Sequence, residues 1–377
     1  MNSFYNDDLA QRVFILWIMA VLVVYGNNAI LVDEDLGAMR AAVGAYLVAR
    51  LSSNTAHLIY SFASYHHRAQ QRLWFGMSFV ALLIYIPLFF EAISFKVKII
   101  CATTAIVVEE SIWIFCYSPL AKKVLGIKYS TAVDIPHEVD RFAAFYIIVL
   151  GEFLYSIVVG SPAAIGFNLG LMRAVWTLII AFCLNWLYTH NDGSLEGEHP
   201  LRHSIYSSFT WVTLHLPLVA GLLAGGHVAA VSVRNKNLHG GELWLLCGGL
   251  GSGLLVLYAI ALLHRSDDEP GLLILPKVGS PLLSSTEYLA NIITQHARII
   301  ARPIAGAIII CLPLTHFHVT AILSAIMALM VAVVVWENVT SLLKGASFWE
   351  PWVDTDYPDS EDQSPVDAET PLLRNHE

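Results

Sequence analysis

Charge is scarce in this chain. Only 14% of its 377 residues are Asp, Glu, Lys or Arg, where an ordinary soluble domain carries about 25%. Apolar residues reach 56%, and mean hydropathy is +0.61. A water-soluble fold of this length has nowhere to hide so much apolar side chain, so the chain needs lipid as its solvent. A soluble enzyme, a nucleic-acid binder and a secreted disulfide scaffold are excluded on these grounds. Cysteine is sparse too. Cys101, Cys116, Cys183, Cys247 and Cys311 sit singly inside apolar runs with no CxxC pair. That excludes a disulfide or zinc framework and leaves them as small buried hydrophobes. The chain has no GxSxG, no Walker motif and no Asp-rich pair within an apolar run for diphosphate chemistry.

What is present is apolar length. Ten segments are long enough, or nearly so, to cross a bilayer as helices of about 20 residues. They run 12–32, 37–65, 72–92, 97–117, 139–160, 168–189, 204–226, 242–264, 297–315 and 317–336. The first follows Asn6, Asp7 and Asp8 and lacks a basic leader, so it reads as a retained span. The expected fold class is all-α, a polytopic transmembrane bundle forming one domain over 1–345. Residues 346–377 read as a disordered acidic tail. Nine carboxylates against Arg374 in 347–377 give −8, so the net charge of −9 belongs to the tail and leaves −1 for the body. Ser284 and Glu287 form a capping-box pattern before a helical apolar stripe, which predicts an interfacial helix near 285–297. With ten spans, one side of the membrane collects thirteen Lys and Arg residues and the other six. The positive side is cytoplasmic, so both termini are expected there.

Ionisable groups within spans are costly and point to function. The second span carries Tyr46, Arg50, Asn54, His57 and Ser61. Their spacing keeps them on one helical stripe, readable as an aqueous path, an anion site or a polar packing seam. The fourth span holds Glu109-Glu110. The two point about 100° apart, so one at most faces a given partner squarely. On the fifth span His137, Arg141, Glu152 and Tyr155 fall within about 60° of arc. Glu152, near mid-membrane, suits a proton acceptor, with a base such as Arg50 as a possible partner. The run His137-Glu138-Val139-Asp140-Arg141 lacks the second histidine of the zinc-protease pattern. In the seventh span His215 precedes Pro217, which removes a backbone donor and frees the Thr213 carbonyl. That reads equally as a lined site or a plain kink. The glycines of 248–253 follow no strand and precede no lysine, so they read as close helix packing. His190, His199 and His203 flank a polar loop but make only a weak metal motif. No metal and no cofactor are expected.

His137, Arg141-Phe142 and Leu150-Gly151-Glu152 together resemble the hallmark of the low temperature requirement protein A (LtrA) family of bacterial and fungal membrane proteins. Leu214-His215-Leu216-Pro217 resembles the family's LHLP helix, and Tyr46 with Arg50 its Y-x₃-R pattern. Two departures stand out. Phe153 occupies the place where the family often has Ser, and the family's opening E-L-F-F-D-L-type motif is absent before residue 12. The second departure reads as an N-terminally shortened member. The resemblance implies a polytopic helical membrane protein and no particular reaction.

The leading expectation is therefore a proton-coupled transporter or permeation pathway for an unknown small ligand or ion. Its partner is the lipid bilayer, with no nucleic acid involved. The candidate pathway residues are Glu152, Arg141, His137, Arg50, His57, Glu110 and His215. An intramembrane enzyme acting on a lipid or isoprenoid, and a structural or sensor protein, are the alternatives.

Overall fold

The computed structural model describes residues 9–63, 65–126, 135–159, 166–190, 199–235, 237–264 and 295–341. The predicted acidic tail, and all of the predicted interfacial helix except its last residues, lie outside these. Among the described residues every regular element is helical. Helix α1 spans Leu9–Ala29, α2 Leu36–Ala63, and α3 Arg68–Leu82, which tightens into a 3₁₀ stretch over Leu83–Phe89. Then follow α4 Phe95–Tyr117, α5 Pro119–Leu125, α6 Ile135–Val158, α7 Leu169–Thr189 and α8 Pro200–His203. The remainder comprises α9 Ile205–Arg234, α10 Gly240–Leu263, α11 Gln295–Ile299, α12 Ala301–Cys311 with a 3₁₀ turn Leu312–Thr315, and α13 Val319–Thr340.

Local chemistry sets the boundaries. Asp35 accepts hydrogen bonds from the amides of Gly37 (3.1 Å) and Ala38 (3.0 Å), capping α2 with a negative charge at its positive end. Ser118 caps α5 through the Ala121 amide (3.3 Å), and Gly126, at φ 62°, ends it in the left-handed conformation. Ser204 and Ser207 cap α9 reciprocally. Helix α9 runs unbroken through Pro217.

Among the described residues nine helical stretches are long and apolar enough to cross a membrane: α1, α3 with its 3₁₀ extension, α4, α6, α7, α9, α10, Ala297–Thr315 and α13. Helix α2 is not among them, although its 28 residues make it about 42 Å long at a rise of 1.5 Å per residue. Polarity alone sets it apart, because the stripe that carries Arg50, Asn54 and His57 lowers its hydropathy. Those groups turn inward: Asn54, His57 and Ser61 are buried. The outward faces of the other helices are apolar, as on α1 with Val13, Leu16, Met19 and Val23 exposed. Lipid covers such faces in a membrane protein.

Helix contacts fall into two sets. In the first, α2 packs on α1 and α3, and α4 packs on α3 and its 3₁₀ extension. In the second, α9 is central, against α6, α7 and α10, while α12 joins α10 to α13 and α13 returns to α7. The second set holds the main apolar core, with Tyr146, Phe153, Ile180, Leu184, Leu222 and Leu250 among its most buried members. Trp113 of α4 meets Phe209 of α9 edge to face at 5.0 Å between the two sets.

The glycine run serves packing. A Cβ on Gly249 of α10 would lie 2.5 Å from the Gly221 carbonyl oxygen and 2.7 Å from the Gly225 nitrogen of α9. Only glycine permits that approach, the small-residue mode of membrane helix packing. Phe153 fills the space over another glycine: a Cβ on Gly226 would sit 2.1 Å from its ring.

Candidate functional site

The polar stripe of α2 forms the best-defined site. Arg50 is the fifteenth of the helix's 28 residues, close to its middle. Its guanidinium makes an ion pair with Glu109 of α4, whose side chain is 7% exposed against 30% for the arginine. Tyr46, one turn earlier, donates to Glu109 Oε2 at 2.8 Å. Tyr85, from the 3₁₀ stretch, packs its ring 5.1 Å from that of Tyr46 and faces Glu109. Of the two adjacent carboxylates, Glu109 thus takes the interior, and Glu110, one residue on, is half-buried beside it.

Toward the other end of α2, buried His57 shares a 2.5 Å hydrogen bond between its Nδ1 and Gln71 Oε1 of α3. A carbonyl oxygen only accepts, so Nδ1 carries the proton and Nε2 is the free basic nitrogen. The ring lies 5.7 Å from that of Trp74. Gln70 donates to the Cys116 carbonyl of α4 at 3.1 Å. Polar groups therefore follow the α2–α3–α4 junction from Tyr46 to Gln70.

This seam is incompletely satisfied. Arg50 Nε, Asn54 Nδ2, Gln70 Oε1, Trp74 Nε1 and Glu109 Oε1 are buried and make no hydrogen bond of good geometry among the described residues. A buried polar atom left unpaired costs about 1–3 kcal/mol. A cluster of them on three adjoining helices marks a place where water, a proton or a ligand completes the bonding.

The fifth predicted span behaves differently. Helix α6 buries Tyr146, Val149, Leu150, Phe153 and Ile157 at helical spacing. Glu152 and Arg141 lie on exposed positions away from that stripe, and Glu152 accepts from Ser156 one turn on at 3.2 Å. His137 is half-buried near the start of the helix. These three share a helix and a flank, and the carboxylate partner of Arg50 is Glu109 of α4.

His215 occupies a closed aromatic box. It is 2% exposed, with the Phe142 and Trp211 rings at 4.5 and 4.3 Å. Its Nδ1 donates to the Trp211 carbonyl at 2.7 Å, so Nε2 accepts from the Tyr188 hydroxyl at 3.0 Å. Tyr188 stacks on Tyr146 at 4.0 Å, and Tyr146 donates to the Leu184 carbonyl at 3.0 Å. Both nitrogens are used, which suits a structural neutral histidine. Outside the spans, His199 caps α8 by accepting from the Leu201 amide at 3.2 Å. Burial, then the nearby His264, Arg202 and His215, push its pKa down to about 4.

Several buried charges escape the sequence reasoning, among them Lys98, Arg298 and the three described next. Arg302 of α12 and Glu337 of α13 are 1% and 4% exposed and bond through two parallel contacts of 2.7 Å. Arg302 also donates to the Leu257 carbonyl at 3.2 Å. Arg173 of α7 donates to Thr320 Oγ1 (2.9 and 2.7 Å) and to the carbonyls of Ser232 and Asn235 near the end of α9 (2.7 and 2.9 Å). All three sit toward span ends, and a count of loop Lys and Arg absorbs the two arginines. The signal available was Arg302 immediately before Pro303 inside an apolar run.

Apolar helices in two packed sets, with charges paired inside, define an integral multi-pass membrane protein. The sequence narrows this further. Residues 1–337 match the model of the family described as Bacterial low temperature requirement A protein (LtrA), and the chain belongs to that family. No curated protein and no solved structure gives a match.

Proposed function

We propose that the chain is a proton-coupled transporter whose working site is the Arg50–Glu109 pair on α2 and α4. The observation that carries this reading is the run of unsatisfied buried polar atoms along α2, α3 and α4. Elsewhere in the described bundle such atoms are scattered, as at Asn185, Trp211 and Thr213, while the charges of Arg302, Glu337 and Arg173 are engaged. A proton delivered to Glu109 removes its charge and its hold on Arg50. The guanidinium then requires another anion, so a proton and an anionic ligand enter together and cross without net charge. Tyr46 keeps Glu109 oriented, and His57, with a free Nε2, serves as a relay along the same stripe. With α2 taken as a tenth span beside the nine stretches of the fold, the loop charges support cytoplasmic termini and a Tyr46 end of the seam toward the opposite face.

Glu152, Arg141 and His137 enter this reading as a flank that meets lipid or a partner. His215 and the engaged charges of α7, α12 and α13 hold the second set of helices together. The test is proton flux into proteoliposomes under an imposed pH gradient, with potassium and valinomycin clamping the voltage and a panel of small inorganic and organic anions supplied in turn until wild type carries flux. Glu109→Gln is expected to abolish flux and Glu152→Gln to retain it, with folded yield unchanged in both. Loss in the Glu152 variant alone would return the proton path to α6. Equal flux in wild type and Glu109→Gln would overturn the assignment.

A further inference from the structure

We propose that the half-open cavity between α1, α2, the 3₁₀ stretch after α3 and the start of α4 binds a medium-chain carboxylate, with its head on the ammonium of Lys98. The cavity measures about 310 Å³, at the lower end of small-molecule pockets. Its walls are apolar, from Ala29 and Met39 to Leu88 and Ile106, and Tyr25, Tyr46 and Tyr85 add aromatic surface. Lys98 is the charged residue of the lining, and its side chain is buried, with 7% exposure.

Lys98 is an anomaly in the rest of the fold. A buried lysine is normally paired. This one forms no ion pair and no side-chain hydrogen bond among the described residues, and its Nζ keeps some accessible surface where it meets the cavity. It also stands in the first turn of α4, where the helix end is itself positive and a cation is unfavourable. Asp35, just before α2, is committed to capping that helix, and Glu91, in the connection before α4, is exposed. Arg40, beside the cavity wall at Met39, is tied to the Phe89 carbonyl at 2.9 Å. Lysine and helix end together attract an anion, and the walls require that its remainder be apolar. An inorganic anion would leave the walls dry and unfilled. A cationic or uncharged amphiphile would leave the ammonium unpaired. At about 30 Å³ per water-sized group the cavity holds on the order of ten non-hydrogen atoms, the size of octanoate.

The site does not depend on proton coupling, and its test uses no gradient. Full-length protein in lipid nanodiscs is titrated with radiolabelled octanoate, with octanamide, octyltrimethylammonium and oleate as competitors. Saturable octanoate binding is expected, weakened at least about tenfold by Lys98→Met, the loss of one charge-assisted hydrogen bond. Ala102→Phe, which fills the cavity from α4 while keeping the charge, is expected to abolish it. Octanamide and octyltrimethylammonium should compete poorly. Competition by oleate at low concentration would assign the same carboxylate chemistry to acids supplied by the bilayer, and its failure to those supplied from water. No saturable binding to monodisperse wild type, or binding that survives both substitutions, would overturn the proposal.

Discussion

The Arg302–Glu337 pair allows a sharp energetic test. Removing the carboxylate by Glu337→Leu takes two parallel contacts from a guanidinium that is 1% exposed. Two general figures bracket the cost. An ordinary hydrogen bond between membrane helices averages about 0.6 kcal/mol, because separated helices find other partners. Orphaning one member of a buried ion pair costs about 3–5 kcal/mol. The structure favours the upper figure, since both groups are nearly inaccessible and two parallel 2.7 Å contacts are lost at once. Replacing both partners, Arg302→Met with Glu337→Leu, removes the stranded charge and should recover most of that loss. Equilibrium unfolding in mixed micelles, followed by helical signal, supplies the four free energies of the cycle. A coupling of about 3 kcal/mol or more is expected. If Glu337→Leu costs less than about 1 kcal/mol, or the double variant is as unstable as the sum of the singles, the pair does not hold α12 to α13.

Three further outcomes follow from the packing and the histidines. Gly249→Leu should force α9 and α10 apart, lowering stability by more than the roughly 1–3 kcal/mol of ordinary overpacking, because a Cβ would meet backbone at 2.5 Å; an unchanged unfolding temperature for even Gly249→Ala would refute the close-contact account. Tyr188→Phe removes the hydroxyl that serves His215 Nε2 and should cost about 1–3 kcal/mol while leaving proton flux intact; flux that falls with unaltered stability would make His215 part of the path. His199 has its folded pKa pushed from the ordinary 6.5 down to about 4, so the unfolded chain binds its proton first on acidification. Its contribution is full above pH 6.5 and is lost as pH falls toward 4. Unfolding temperatures measured across that window should show a shallower decline in His199→Asn, which keeps a side-chain cap without the titration.

Much of the fold was legible because membrane spans are set by apolar length. Nine of the ten predicted spans are helical stretches long and apolar enough to cross a membrane, and the other, 37–65, is the more polar helix α2. The ninth is segmented into α11, α12 and a 3₁₀ turn around Arg302 and Pro303. The stripe on α2 was also legible, since spacing fixes which residues share a face. What spacing does not fix is the rotation of one helix against another. That rotation decides between Glu109 and Glu110, which differ by about 100°, and between Glu109 and Glu152 as the partner of Arg50. It also turns Glu152 outward while Leu150 and Phe153 turn in. Lys98 was counted as a loop charge because it falls at the start of a span, and its cavity exists only once α1, α2 and α4 are assembled.

The polarity of α2 has a consequence for biosynthesis. A helix with Arg50 at its middle resists entry into lipid alone, and its counter-charge is not yet made when it leaves the ribosome. Glu109 follows Arg50 by 59 residues (109 − 50), a delay of roughly 3–12 s at about 5–20 residues per second. Over that interval α2 has the hairpin with α1, tied by Trp17 to Ser52 at 3.0 Å, and then α3, to shelter it. Topology at the N-terminal end is therefore settled late, by the arrival of α4. A nascent chain halted before that point carries a stranded arginine that the cell's membrane surveillance can recognise.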